Sequence, residues 1–213
     1  MSTRYEEFLP EVLPYVPECP EIVAVNAICN ACIEFCDKSH WWLYEHDPLP
    51  TTAYVRTYQL DVPDFTQVCR IVECWYDNYF MRPAGEDELR KLYTFDWRIM
   101  EGSPRYFTHS TPDEITVVPM PIISMAEGLK LIVAPKPTRD SFDVDDTLYN
   151  RWAEQIGMGA RARIHEIPGQ TFSDPAMALK YRTMFNSAIG RATEERQRGL
   201  TRGTLRVRPP RFF

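Results

Sequence analysis

No apolar run in the sequence approaches the roughly 20 residues that a membrane-spanning helix requires, and the opening MSTRYEEFLP holds no apolar signal core. A protein that folds in the cytosol is the expectation. The catalytic signatures are missing too: there is no G-x-S-x-G, no Walker loop and no G-x-G-x-x-G. Histidine is scarce, with His40, His46, His109 and His165 scattered over different predicted elements. Without a nucleophile, base and oxyanion donor that could meet, the chain is not expected to be an enzyme. His165-Glu166 lacks the second histidine of a zincin helix, and Asp143-x-Asp145-Asp146 lacks the glycine and distal glutamate of a calcium loop. The acidic pairs Glu86/Glu88 and Glu194/Glu195 lie on polar helical faces and read as solvated surface. Positive charge is also in short supply. With 24 basic and 30 acidic residues, net −6, the chain is unsuited to coating nucleic acid, whose phosphates need a cationic surface.

Disulfides are not expected either. Of the six cysteines, at positions 19, 29, 32, 36, 69 and 74, Cys29, Cys32 and Cys36 share one helical segment. Pairs three or four apart on a helix rarely reach disulfide geometry, and without a secretion signal the thiols should stay reduced. With His40 four residues on, the triplet shares a helical face, and it is the one constellation that could hold a metal. Zinc and iron–sulfur ligands come more often from loops and paired knuckles, whereas cysteine packs well as a small hydrophobe. Core packing is therefore the expected role of the triplet, with no metal and no cofactor.

What is present is an ordinary soluble composition, 44% hydrophobic and 25% charged, in 213 residues. That is enough for one sizeable domain or a helical core with an inserted subdomain. Residues 6–16 allow a short helix interrupted by Pro10 and Pro14. A longer helix opens at Glu21 and runs to about Lys38, with Ile22, Val25, Cys29, Cys32/Ile33 and Cys36 on one face. Asp47-Pro48 and Pro50 then mark a break. Strands are predicted at 52–60, 68–76, 105–108, 114–119 and 129–135, from their alternation and their threonine, valine and aromatic content. Asp77-Asn78 is a two-residue hairpin turn, and 86–93 is a short polar helix. The strand order predicts an antiparallel meander.

Two helix-length segments follow. Leu148, Trp152, Ile156, Gly159/Ala160, Arg163 and Ile167 fall at three- and four-residue steps behind an acidic run that suits a helix N-terminus. The segment stops at Pro168-Gly169. Ser173-Asp174-Pro175 supplies a cap and a first-turn proline for a second helix to about Arg198, striped by Met177, Tyr181, Met184/Phe185, Ala188 and Ala192. About six linking residues predict an antiparallel hairpin, and Gly157, Gly159 and Ala160 would let the helices approach closely. Beyond Gly199 the pattern ends in a tail with Arg202, Arg206, Arg208 and Arg211, Pro209-Pro210 and a terminal Phe212-Phe213. From Arg191 onward seven arginines face two glutamates, net +5, which leaves residues 1–190 with 17 basic against 28 acidic, net −11. Tail and body should therefore attract opposite partners, and arginine and phenylalanine are the side chains of interface hot spots. The aromatic load, dense at Trp41-Trp42-Leu43-Tyr44, Trp75-Tyr76 and Tyr79-Phe80, exceeds what a small β-subdomain can bury and points to contacts with neighbours.

The fold class expected is therefore α+β. An antiparallel helical bundle (1–42 and 146–200) carries an inserted antiparallel β-subdomain (43–145) and an extended C-terminal arm (201–213).

The stretch LPEVLPYVPECPEIVAVNAICNACIEFCDKSHWW, then YQLDVP, YFMRP, GSPRYFTHSTPDEITVVPMP, the DPAMALKYRTMFNSAIGRA helix and the closing RVRPPRFF together resemble the head-to-tail adaptor (connector) proteins of short-tailed and some other tailed bacteriophages. The likeness covers nearly the whole chain. It implies a structural virion protein at the head–tail junction, assembled in the host cytoplasm as a homo-oligomeric ring, typically of about twelve copies. Its partners would be the portal protein and a tail nozzle or terminator protein. The genomic DNA would pass through on ejection without specific binding, and no membrane would be involved. The portal-binding arm would be Arg202, Arg206, Arg208, Arg211, Phe212 and Phe213. The competing reading is a metal- or nucleic-acid-binding cytosolic protein, using the Cys29/Cys32/Cys36 helix or the arginine-rich tail.

Overall fold

The computed structural model describes residues 2–93 and 96–199. The chain opens with β1 (Ser2–Arg4) and two 3-10 helices, Tyr5–Glu11 and Leu13–Tyr15, before α1 (Glu21–Ser39). The opening helices are tight and short because Pro10 and Pro14 lack the N–H that a continuing α-helix would use. The β region comprises β2 (Tyr44–Thr51), β3 (Thr57–Gln59), β4 (Thr66–Tyr76), β5 (Tyr79–Phe80) and β6 (Arg82–Pro83). It continues through α2 (Glu86–Leu92), β7 (Tyr106–Thr111), β8 (Glu114–Val118), β9 (Met125–Pro137) and β10 (Asp143–Asp145). Then come α3 (Asp146–His165) and α4 (Pro175–Arg198).

The helix ends follow their local chemistry. Asp145 accepts from the Thr147 N–H at 2.9 Å. Asp174 accepts from Ala176 and Met177 at 2.9 and 3.1 Å, with Pro175 in the first helical turn. His40 ends α1 in the left-handed region, at φ 50°. α3 and α4 are antiparallel: Arg151 pairs with Glu195 at one end (2.6 Å), and His165 stacks on Tyr181 at the other (5.8 Å between centroids). At Gly159 an added Cβ would stand 2.8 Å from the Phe185 ring, so only glycine admits this approach.

α1, α3 and α4 share one core, built from Ala24, Ile28, Ala31, Phe35, Trp152, Ile156 and Phe185 among others. Phe35 lies 5.3 Å from Trp152 and 6.3 Å from Phe185. The inward face of α1 keeps Cys29, Cys32 and Cys36 as periodicity predicts, but it is turned away from Ile22 towards Ala24, Ala27, Ile28, Ala31 and Phe35. Ile22 is 72% exposed, while Ala24, Ala27 and Ala31 are buried. Met184 likewise leaves the expected stripe of α4 at 40% exposure. Ala24, Ala27 and Ala31 alternate with Ile28 and Phe35 on that face, so small side chains leave room for the rings of Trp152 and Phe185 that pack around Phe35.

The expectation of helices together with antiparallel sheets holds; the meander does not. One sheet runs β2-β9-β4-β5 and a second runs β3-β8-β7-β6, with β1-β10 as a separate pair. β9 stands between β2 and β4, and β6 pairs parallel to β7. The two four-stranded sheets enclose a second core with Tyr58, Ile71, Phe107, Ile115, Leu131 and Val133. The strand predicted at 52–60 is also corrected. β2 ends at Thr51, the chain turns with Tyr54 at φ 62°, and β3 spans only Thr57–Gln59. Pro48 and Pro50 do not break β2, because it is an edge strand with register shifts around them and a missing N–H there costs no ladder bond. The hairpin at Asp77-Asn78 is as expected, with both residues left-handed at φ 48° and 63°. Among the described residues no helix is long and apolar enough to cross a membrane.

Candidate functional site

The six arm residues, Arg202, Arg206, Arg208, Arg211, Phe212 and Phe213, lie outside the described residues. The remaining sequence candidates can be located.

Cys29, Cys32 and Cys36 belong to the helical core, and the latter two have no exposed surface. Burial pushes the thiols of Cys32 and Cys36 well above their ordinary values, so they are held as neutral, packed groups. His40 does not join them. Having left the helix, its Nδ1 lies 3.5 Å from Sγ of Cys69 on β4, and that thiol donates to the Ala134 carbonyl. Burial also pushes Cys69 up, to about 11. Burial first, then Arg70 and Arg196, hold the His40 imidazole below its usual value. Among the described residues no group of three histidine, cysteine or acidic side chains is arranged to hold a metal ion.

The second feature is the end of the β region away from the helices. At one end of β9, Lys136 reaches Asp37 of α1 (2.6 Å). The other end lies about 40 Å off at roughly 3.3 Å per residue, where Met125 pairs with Thr51. Two loops meet there. The Ala53 N–H donates to Ser124 Oγ (2.9 Å), the Tyr54 N–H to the Pro121 carbonyl (2.8 Å), and the Tyr58 hydroxyl to the Val55 carbonyl (2.6 Å). The loops are thus tied down, yet they display Tyr54, Val55, Ile122 and Ile123 to solvent. Beside them the β4–β5 hairpin exposes Tyr79 and Phe80, with Phe80 edge-on to Trp75 at 6.0 Å. A cavity of about 660 Å³ between β5 and β6–β7 is walled by those two rings, Arg82, Arg105 and Tyr106. A rigid, apolar, aromatic tip of this kind marks an interaction surface rather than a reaction centre. Tyr79-Phe80 was visible as an aromatic cluster. Tyr54 and Ile122-Ile123 were not, because a strand was read through the first; the proline spacing of PMPII was the available sign of an exposed loop.

The third feature is a charged junction. Glu34 of α1 receives Lys38 (2.5 Å), Arg163 (2.5 Å) and Arg182 (3.0 Å), and Arg182 also reaches Glu166. Burial alone would raise the Glu34 carboxyl; the Lys38 hydrogen bond and the two guanidiniums outweigh it and hold the group below the usual range. A cavity of about 810 Å³, lined by Glu34, Lys38, Arg163 and Arg182 together with Lys136 and Arg139, opens here. Because nearly every charge at the junction is paired within the chain, the hub ties helices together rather than forming chemistry.

Nothing in these three places is arranged to break or form a covalent bond; two of them hold the molecule together and one offers a surface. No curated protein matches the chain. One protein-family model does, described as SU10 adaptor protein, and it matches residues 3–208, helices and sheets alike. The chain therefore belongs to the SU10 adaptor family, and its role is that of a structural head-to-tail adaptor of a tailed phage.

Proposed function

We propose that the protein is the subunit of a ring that joins the portal to the tail and continues the DNA channel. In this reading residues 1–42 and 146–200 form the helical body, and residues 43–145 form an inserted β-subdomain that meets a tail nozzle or terminator protein. Residues 201–213 form the arm that grips the portal protein through Arg202, Arg206, Arg208, Arg211, Phe212 and Phe213. The ring contains about twelve copies and sits at the head–tail junction of the virion after assembly in the host cytoplasm.

The observation that carries this reading is the family match over residues 3–208. Two further features support it. The net charge of −11 over residues 1–190 suits a channel through which DNA slides, since a lining that paired many phosphates would hold the genome. The tied-down apolar tip of Tyr54, Val55, Ile122 and Ile123 suits a permanent contact with a tail-side protein.

Co-purification with the portal protein of the same phage tests the reading. The full chain is expected to bind, and a truncate lacking residues 202–213 is expected to fold normally but lose the portal. A truncate that binds as well as the full chain removes the arm from the account. A full chain that does not bind refutes the adaptor reading.

A further inference from the structure

The exposed side of α4 carries Leu179, Lys180, Met184, Gly190 and Arg191 within less than half of the helix circumference, and ends in Glu194 and Arg198, which pair with each other at 3.8 Å. Three observations set it apart from an ordinary solvated face. Leu179 is 70% exposed, and Met184 lies beside it in the open. Gly190 sits in the interior of a 24-residue helix, where glycine costs about 1 kcal/mol against alanine, yet an added Cβ there would meet nothing within the subunit. Among the described residues Lys180 and Arg191 have no ion-pair partner. The face thus combines apolar, small and unneutralised basic groups.

A second face has the opposite sign. At the start of α1, Ile22 projects into solvent with Glu21 beside it and Glu18 just before, and neither glutamate has a partner among the described residues. Both faces point away from the shared core, since Ala24 and Ile28 on α1, and Ala178, Tyr181 and Phe185 on α4, are the buried side.

We infer that the outer face of α4 docks on the α1 N-terminus of a second copy of this chain. Leu179 and Ile22 come together, Lys180 and Arg191 meet Glu18 and Glu21, and Gly190 lets the neighbouring backbone approach. The inference rests on the adaptor reading for its choice of a second copy, and on charge complementarity for its choice of surfaces. A two-fold pairing of α4 with α4 is disfavoured. Running antiparallel about Asn186, it would set Lys180 against Arg191 of the other copy, like charge against like. Two different faces make a head-to-tail contact that leaves one of each free on every copy, and such contacts propagate until they close into a ring.

Carbodiimide cross-linking of an equal mixture of unlabelled and ¹⁵N-labelled protein, with sedimentation of the same samples up to millimolar concentration, tests this without the portal. Mixed-isotope cross-links between Lys180 and Glu18 or Glu21 are expected. The double variant K180E/R191E should weaken self-association at least ~10-fold, and so should E18K/E21K. Mixing the two variants should restore it, because each then offers the other a complementary face. Wild type that stays monomeric or cross-links elsewhere, variants that associate normally, or a mixture that does not recover overturns the inference. A portal-binding protein that fails here keeps the adaptor reading and loses these surfaces; one that passes here and fails to bind portal does the reverse.

Discussion

Arg161 is the residue whose removal should cost most for the fewest atoms. It lies on α3 with 3% exposure, and both Nε and Nη2 donate to the backbone carbonyl of Glu11, 150 residues away; the Nε contact is 2.6 Å. Its guanidinium also stands 3.6 Å from the centroid of the Tyr15 ring and 5.3 Å from that of Tyr181. Arg161→Met keeps an unbranched apolar stem and removes the guanidinium with its donors and charge. A hydrogen bond from a charged group contributes about 1.5–3 kcal/mol and a cation–π contact about 0.5–2. The variant should therefore lose about 2–5 kcal/mol in urea unfolding, a large part of the 5–15 typical of a folded domain. The Glu11 carboxylate is a minor partner, since it lies 3.8 Å away on a side chain 38% exposed. Glu11→Gln should cost less than ~1 kcal/mol. Arg161→Lys, which keeps the charge and loses the fork, should fall between the two. Hydrogen exchange locates the effect: amides of the two 3-10 helices and the first turn of α1 should lose protection before those of the sheets. An Arg161→Met protein within 0.5 kcal/mol of wild type, or one whose Glu11→Gln counterpart is equally damaged, would refute this account of how the N-terminal segment is held.

Three other outcomes follow from the geometry. Gly159→Val puts a Cβ against the Phe185 ring and should destabilise by about 1–3 kcal/mol; Phe185→Leu in the same chain should recover part of the loss, read by thermal unfolding. His40 has a folded-state pKa below its unfolded value of about 6.5, so the unfolded chain binds more protons there. Its contribution to stability is complete above that pH and is lost as pH falls through it, and His40→Asn should flatten the fall measured between pH 7 and 5. The thiols of Cys32, Cys36 and Cys74 are fully buried, so a thiol reagent should modify them only on unfolding, while the half-buried Cys69 reacts slowly in the native protein.

The features that were legible in the sequence are those made within a few residues. Asp174-Pro175 caps α4 because its carboxylate needs only the N–H groups two and three positions on. Asp77-Asn78 turns β4 into β5 because those two residues tolerate left-handed backbone. The glycine at 159 also carried its meaning, since close helix contact was the reason for expecting it. Ile22 was misplaced because period alone cannot rank an isoleucine against the alanines a half turn away. Pro48 and Pro50 misled because a proline is a breaker inside a sheet and harmless on its edge, and the edge position of β2 depends on β9, far along the chain.

Composition and local pattern by themselves determined that this is a mixed helix-and-sheet protein with an acidic body, and that Cys29, Cys32 and Cys36 pack on the inner side of one helix. They also determined where its helices begin and its hairpin turns. Only the tertiary structure decided that β9 separates β2 from β4, that Arg161 holds down Glu11, and that Tyr54, Ile122 and Ile123 share one exposed tip. Caps and turns are satisfied by hydrogen bonds spanning two to four residues. Strand order and exposure depend on which distant segments meet, and a single chain's periodicity does not encode that.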